Sequence, residues 1–154
     1  MSAQLDRVPR YRRMTAGDLD AVVAIEDSIY PHPWTRGNFA DSLAAGYHCW
    51  IVECGGEAVG YSVVMIAAGE AHLLNLSVAA PWQRRGLGRE ILRFVVKLAG
   101  DYGARKILLE VRPSNSAAIA LYAAGAFVEI ARRRGYYPAG DAREDAVVMQ
   151  LELP

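Results

Sequence analysis

The chain has 154 residues, 53% of them hydrophobic, enough apolar side chain for the core of one domain of about 150 residues. Its seventeen basic and seventeen acidic side chains cancel, which excludes a global field that would draw nucleic acid or an anionic membrane. No apolar run approaches the ~20 residues of a membrane-spanning helix, and residues 1–9 carry no apolar stretch of signal-peptide type, so a cytoplasmic protein is expected. Cys49 and Cys54 are not spaced as a CxxC pair, and His32, His48 and His72 fall in no ligand spacing; neither a disulfide framework nor a metal is expected.

Residues 1–9 read as a disordered extension. Tyr11–Met14 is a candidate short strand, and Thr15-Ala16-Gly17-Asp18 is a capping box that opens a helix through about Ile29, with Leu19, Val22, Val23 and Ile25 on its apolar side. The prolines of Tyr30-Pro31-His32-Pro33-Trp34 stop that helix, and Thr35 caps a second, shorter one carrying Phe39 and Leu43. The period then changes to runs rich in β-branched and aromatic residues, Tyr47–Glu53, Ala58–Ala67 and Ala71–Val78, punctuated by Gly55-Gly56 and Gly69; three consecutive antiparallel strands fit. Leu87, Ile91, Val95 and Leu98 restore helical spacing, and the helix they mark is expected to end near Gly100–Gly103. Ile107–Val111 reads as a buried strand, Ser114 starts a helix that stops at Gly125, and two strands around Phe127–Arg132 and Ala146–Leu153 close the chain. No repeat or linker interrupts this order, so one domain over residues 10–154 is expected, of class α+β with a central sheet.

The informative stretch runs from Leu76 to Arg89: a strand, a short loop with glycines, then the start of a long helix. Backbone N–H groups at a helix N-terminus have no intrahelical acceptor and sit at the positive end of the dipole, so a phosphate accepts several hydrogen bonds there. Gly86 and Gly88 let the backbone approach a ligand closely, and Arg84, Arg85 and Arg89 add positive charge. A pyrophosphate suits such a cradle. The spacing is not that of GxGxxG after a first strand nor of GxxxxGK[ST], so neither a dinucleotide fold nor a P-loop is supported. Taken alone, a GxG before a helix is equally a tight turn beside a solvated basic face.

Gln83-Arg84-Arg85-Gly86-Leu87-Gly88 resembles the Q/R-x-x-G-x-G/A signature of the GNAT acetyltransferases, and it lies between a strand and a helix as in that family. Glu110-Val111-Arg112-Pro113-Ser114-Asn115, Ala117 to Tyr122 and Gly125-Ala126-Phe127 resemble the second half of the same fold. Arg134-Gly135-Tyr136-Tyr137-Pro138 and Arg143-Glu144-Asp145-Ala146 resemble the tail of the bacterial ribosomal-protein-alanine N-acetyltransferases. The resemblance runs from about Tyr11 to the C-terminus. It implies the GNAT fold, a mixed, mostly antiparallel twisted sheet of about seven strands flanked by about four helices, and acetyl-CoA as co-substrate. It also implies that the N-terminal alanine of a small-subunit ribosomal protein is the acceptor.

Acetyl transfer to an amine needs the amine neutral, the carbonyl polarised and the departing thiolate protonated. Glu110, ending an otherwise apolar strand, either pairs with an arginine such as Arg112 or takes the amine's proton; the resemblance implies the base. Tyr122 follows a helical apolar stripe, where an aromatic is ordinarily core, and the resemblance implies a general acid beside the cofactor sulfur. It further implies that Leu76, Ser77 and Val78 bind the pantetheine arm through their backbone, that Leu87 joins the pyrophosphate loop, and that Asn115, otherwise an ordinary helix-start residue, contacts the acetyl-CoA arm.

For the acceptor, Trp34 on the proline elbow and Tyr136-Tyr137 near the C-terminal loop are candidate walls of a peptide groove, while Asp141, Glu144 and Asp145 are placed to attract a basic peptide. Each is equally a surface or packing residue at this level. A lysine side chain, a polyamine or another small amine is the competing acceptor, and a non-catalytic acetyl-CoA-binding regulatory module is a reading from another class. Cys49 and Cys54 have no evident partner base, so direct transfer in a ternary complex is expected rather than a covalent enzyme intermediate. No direct nucleic-acid or membrane partner is expected, and a monomer is favoured.

Overall fold

The computed structural model describes residues 8–154, so most of the extension expected over residues 1–9 lies outside the described residues. The described residues hold seven strands in one sheet of order β1-β2-β3-β4-β5-β7-β6, and four α-helices. They group into two compact units, one made of the chain through Val64 with Asn75–Ile91, the other of Met65–Leu74 with Leu92–Pro154.

In the first unit, β1 (Arg10–Arg13) pairs antiparallel with β2 (His48–Cys54), and β2 with β3 (Glu57–Ala67). Asp18 closes the first helix start: its carboxylate accepts the Thr15 N–H at 2.7 Å and is gripped by both terminal nitrogens of Arg12 at 2.7 and 2.8 Å. A 3-10 turn, Ala16–Asp18, leads into α1 (Leu19–Ile29), which is stopped by the proline elbow. The cap expected at Thr35 is present, and it is reciprocal: its hydroxyl accepts the Asn38 N–H at 3.1 Å, and the Asn38 side chain accepts the Thr35 N–H at 2.9 Å. That cap opens α2 (Arg36–Ala44). Met14, Leu19, Val22, Phe39, Cys49, Ile51, Tyr61 and Val63 form one buried cluster, with Trp34 and Leu43 packed against it.

β4 (Glu70–Val78) and α3 (Leu87–Asp101) each run from one unit into the other. In the second unit, β4 pairs parallel with β5 (Lys106–Val111) over Glu70–Leu73 and Lys106–Leu109; the helical crossover is what a parallel pair requires. β4 continues to Val78 and β5 to Val111 beyond that ladder. α4 (Ser116–Ala124) starts two residues later than the sequence predicts because Asn115, not Ser114, is its cap: the Asn115 side chain accepts the Ala118 N–H at 3.2 Å.

The last two strands are much longer than expected. β6 spans Val128–Ala139 and β7 Ala142–Glu152, paired antiparallel and joined by Gly140 and Asp141. Gly135 and Pro138 read locally as loop, but the pair absorbs both. Gly135 stands at φ 58 in an irregularity between Arg133 and Tyr137, and Pro138 lies on the edge strand, where a missing N–H costs no ladder bond. Gly140 at φ 62 supplies the left-handed residue that a two-residue hairpin turn demands.

Candidate active site

The turn before α3 is wound as the anion cradle requires. Arg84 stands at φ 62 and Gly86 at φ 85, so two left-handed residues bend the backbone before the helix begins. A side chain at Gly86 would meet no atom within 4 Å, so its need for glycine is conformational and the space before it is open. Glu90 N–H is the donor to Gly86 O at 3.2 Å, which leaves the N–H groups of Leu87, Gly88 and Arg89 ahead of the first helical acceptor. Arg84, Arg85 and Arg89 are exposed around this turn, and Arg85 lies 5.5 Å from the centre of the Trp82 ring. Gln83 fastens the loop to the end of β4, its Nε2 donating to Val78 O at 2.9 Å. The donors of this turn fit a pyrophosphate.

Along β4, Leu76 O accepts a long bond of 3.4 Å from the Tyr30 hydroxyl, and Ser77 is buried with its side chain hydrogen-bonded. The side chains here carry more than their sequence pattern suggests. Glu26, on the same helical stripe as Leu19 and Val22, is 2% exposed and accepts from Tyr61 at 2.7 Å and Asn75 at 3.1 Å. Sequence reasoning missed this group. The signal was a glutamate four and seven residues after two core positions. Burial, followed by the Glu26 charge, pushes the Tyr61 phenol well above its usual range. Trp34 is half-buried, with its ring 5.1 Å from that of Phe39.

In the second unit, Glu110 is exposed rather than desolvated, and the arginine at its carboxylate is Arg133, at 3.8 Å, not Arg112. The Glu110 side chain is 31% exposed at the end of β5, with that arginine as its partner. Arg112 instead lies 4.4 Å from the centre of the Tyr137 ring and donates to Pro138 O at 2.7 Å. Arg133 lies 5.2 Å from the centre of the Tyr136 ring, so one arginine touches both Glu110 and that tyrosine. Burial, then the neighbouring Glu110, pushes the Tyr137 phenol up to about 12.

Glu144 takes both the N–H and the hydroxyl of Ser114, at 3.2 and 2.7 Å, which ties the hairpin to the loop ahead of α4. Asp145 accepts the Gly135 N–H at 3.0 Å, while Arg143 donates to the carbonyls of Gly135 and Tyr136. Asp141 is exposed at the turn. Asn115 spends its carbonyl oxygen on the α4 cap, leaving its amide N–H groups for other acceptors. Tyr122 is buried, its ring 5.8 Å from that of Phe127.

Neither cysteine has the environment of a nucleophile. Both are buried, and burial pushes the Cys49 thiol up to about 11 and the Cys54 thiol upward as well. Among the described residues no group of three or more His, Cys, Asp and Glu is arranged to hold a metal ion, and no helix is long and apolar enough to cross a membrane.

The profile of the acetyltransferase (GNAT) family matches residues 19–126. The chain is similar to the [ribosomal protein bS18]-alanine N-acetyltransferase of Escherichia coli strain K12, with 37% identity over 136 residues that cover 88% of this chain and 92% of the relative. It is 34% identical over 140 residues to the protein of that description from Salmonella typhimurium, covering 91% and 95%. Its fold matches the crystal structure of the ribosomal-protein-S18-alanine N-acetyltransferase from Escherichia coli with a TM-score of 0.87 at 34% identity, over 94% of each chain. With the strand, glycine turn and helix that the family signature demands in place, the chain belongs to the GNAT acetyltransferases, within the family of the bS18-alanine N-acetyltransferases, and is an acyltransferase whose co-substrate is acetyl-CoA.

Proposed function

We propose that this enzyme acetylates the N-terminal α-amine of a protein, with the N-terminal alanine of a small-subunit ribosomal protein as its acceptor, and that residues 10–154 act as one catalytic domain in the cytoplasm. The observation that carries the acceptor reading is the cluster at the end of β5. Glu110, Arg133, Tyr136, Arg112 and Tyr137 stand in one contact chain, so the hairpin segment that resembles the alanine-specific enzymes meets the candidate base. Relatives with 37% identity carry the bS18-alanine description, which points the same way.

Acetyl-CoA supplies the acetyl group and departs as the thiol. On this reading the turn at Arg84–Arg89 holds its pyrophosphate, the backbone of Leu76–Val78 and the Asn115 amide are assigned to its arm, and Trp34, Tyr136 and Tyr137 are each assigned to the acceptor peptide. An α-amino group has a pKa of about 7.7 to 8.0, so a weak base suffices to take its proton. Glu110 is that base, directly or through a water, as the new N–C bond forms. As the C–S bond breaks, the Tyr122 phenol gives its proton to the sulfur and regains one from solvent. The buried, protonated cysteines leave direct transfer as the route. Of the three acidic candidates, Asp141 is the one left for a basic peptide, because Glu144 and Asp145 already bind the protein's own backbone.

The test is a mass measurement on purified enzyme, acetyl-CoA and two peptides: one with a free alanine start and no lysine, one N-blocked with an internal lysine. Acetylation of the first alone is expected. Modification of only the second keeps the GNAT chemistry and sinks the acceptor assignment.

A further inference from the structure

Among the described residues, Glu26 is the only charged side chain that is buried, and it enters no ion pair. Three neutral donors satisfy it instead. Its Oε1 accepts the Tyr61 O–H at 2.7 Å and the Asn75 Nδ2–H at 3.1 Å, and its Oε2 accepts the Trp34 main-chain N–H at 2.9 Å. Behind Asn75 the chain continues: Asn75 Oδ1 accepts the Ser77 O–H at 2.6 Å, and Ser77 Oγ lies 2.7 Å from the Tyr30 hydroxyl. Since the Ser77 proton is spent on Asn75, the single Tyr30 proton is shared between Ser77 Oγ at 2.7 Å and, more weakly, Leu76 O at 3.4 Å. Every donor therefore points toward Glu26, from Tyr30 through Ser77 and Asn75 on one side and from Tyr61 and Trp34 on the others.

Only a group that accepts at both oxygens closes this pattern. A glutamine has one acceptor oxygen. If it faces Tyr61 and Asn75, its NH2 opposes the Trp34 N–H and the elbow loses its anchor. If it faces Trp34, its NH2 opposes the Asn75 amide, and the direction of the Asn75–Ser77–Tyr30 chain must reverse. The two ends that depend on the carboxylate are the Trp34 elbow and the Leu76–Ser77 stretch of β4. We infer that Glu26 is a positioning residue for acetyl transfer, fixing through one directed hydrogen-bond chain both the elbow that receives the acceptor and the strand that receives the acetyl-CoA arm. The inference rests on the assignment of Trp34 and Leu76–Val78 to those roles.

The experiment compares wild type with Glu26→Gln and Tyr61→Phe, using the alanine-start peptide and acetyl-CoA in steady-state kinetics on enzyme shown to be fully folded by circular dichroism. A misplaced reacting group and an unanswered buried donor each slow turnover, so kcat/KM for the peptide is expected to fall about tenfold in Glu26→Gln and about threefold in Tyr61→Phe. Protection of the Trp34 amide from hydrogen exchange is expected to drop in Glu26→Gln, a readout that needs no acceptor. A folded Glu26→Gln enzyme with kcat and both KM values within about twofold of wild type overturns the proposal, as does unchanged Trp34 protection. If Glu26→Gln does not fold, Tyr61→Phe decides alone, and wild-type kinetics in that variant overturn it. Failure of the acceptor assignment looks different: wild type then ignores the alanine peptide and acetylates the lysine peptide, on which the same losses are expected.

Discussion

Arg133 holds its guanidinium 3.8 Å from the Glu110 carboxylate, with the two side chains 58% and 31% exposed. A pair this long and this exposed is worth little to folding, so Arg133→Ala is expected to shift the urea midpoint by no more than about 0.5 kcal/mol in stability. Glu110→Gln is expected to slow turnover about 100-fold while leaving acetyl-CoA affinity, read by calorimetry, within about twofold. Unchanged turnover in that variant removes Glu110 from the mechanism.

Tyr122 separates packing from chemistry cleanly. The ring lies against Phe127, so Tyr122→Phe keeps that contact while it deletes the phenol proton. Turnover is expected to fall at least about tenfold at saturating acetyl-CoA and peptide. A fully active phenylalanine variant assigns the tyrosine to the core alone.

Gly60 admits no side chain without movement. A Cβ there would lie 2.9 Å from Ile91 Cδ1 and 2.9 Å from Ser77 O. The isoleucine tip can turn aside, but the carbonyl belongs to β4. Gly60→Ala is expected to cost about 1 to 3 kcal/mol of stability by chemical denaturation. Because the displaced strand is the one assigned to the acetyl-CoA arm, the acetyl-CoA KM is expected to rise in the same variant. A destabilised enzyme with an unaltered acetyl-CoA KM would detach Ser77 from that role.

Acid should loosen the first helix start. The Arg12 guanidinium holds the Asp18 carboxyl down to about 2, against an ordinary value of about 3.9. A carboxyl lowered by folding contributes stability that is fully present above its unfolded value and lost as the pH falls from about 4 to about 2. Asp18→Asn is expected to be less stable than wild type at neutral pH and to show a flatter loss across that acid window in urea titrations. Parallel pH curves for the two proteins would show that the pair with Arg12 contributes nothing.

The order of elements was legible because each announces itself locally: the capping residues Asp18 and Thr35, the turn at Gly55-Gly56, and the stripe Leu87, Ile91, Val95 and Leu98. The turn ahead of α3 was legible too, since Gly86 marks a left-handed residue just ahead of a helix. What stayed hidden depends on partners far along the chain. Glu26 meets Tyr61 and Asn75 across 35 and 49 residues, and nothing near it in sequence says that three donors await. Glu110 reads as a carboxylate in an apolar run, and its partner Arg133 stands 23 residues further on, where nothing local announces it. Gly135 and Pro138 read as loop because local propensity knows nothing of the opposite strand that carries them into a ladder.

Beyond Val111 and Val147, where β5 and β7 cease to pair, the last hairpin continues as a ribbon of two strands to Gly140 and Asp141. A bare two-stranded ribbon is marginal in water, and this one is stapled to its own unit by Arg112 at Pro138 and by Glu144 at Ser114. Its tip stands outside the β5–β7 ladder, so single exchanges at Gly140 and Asp141 leave that ladder's pairs in place, and under the acceptor role proposed above for this hairpin, acceptor choice is able to change without touching the turn ahead of α3.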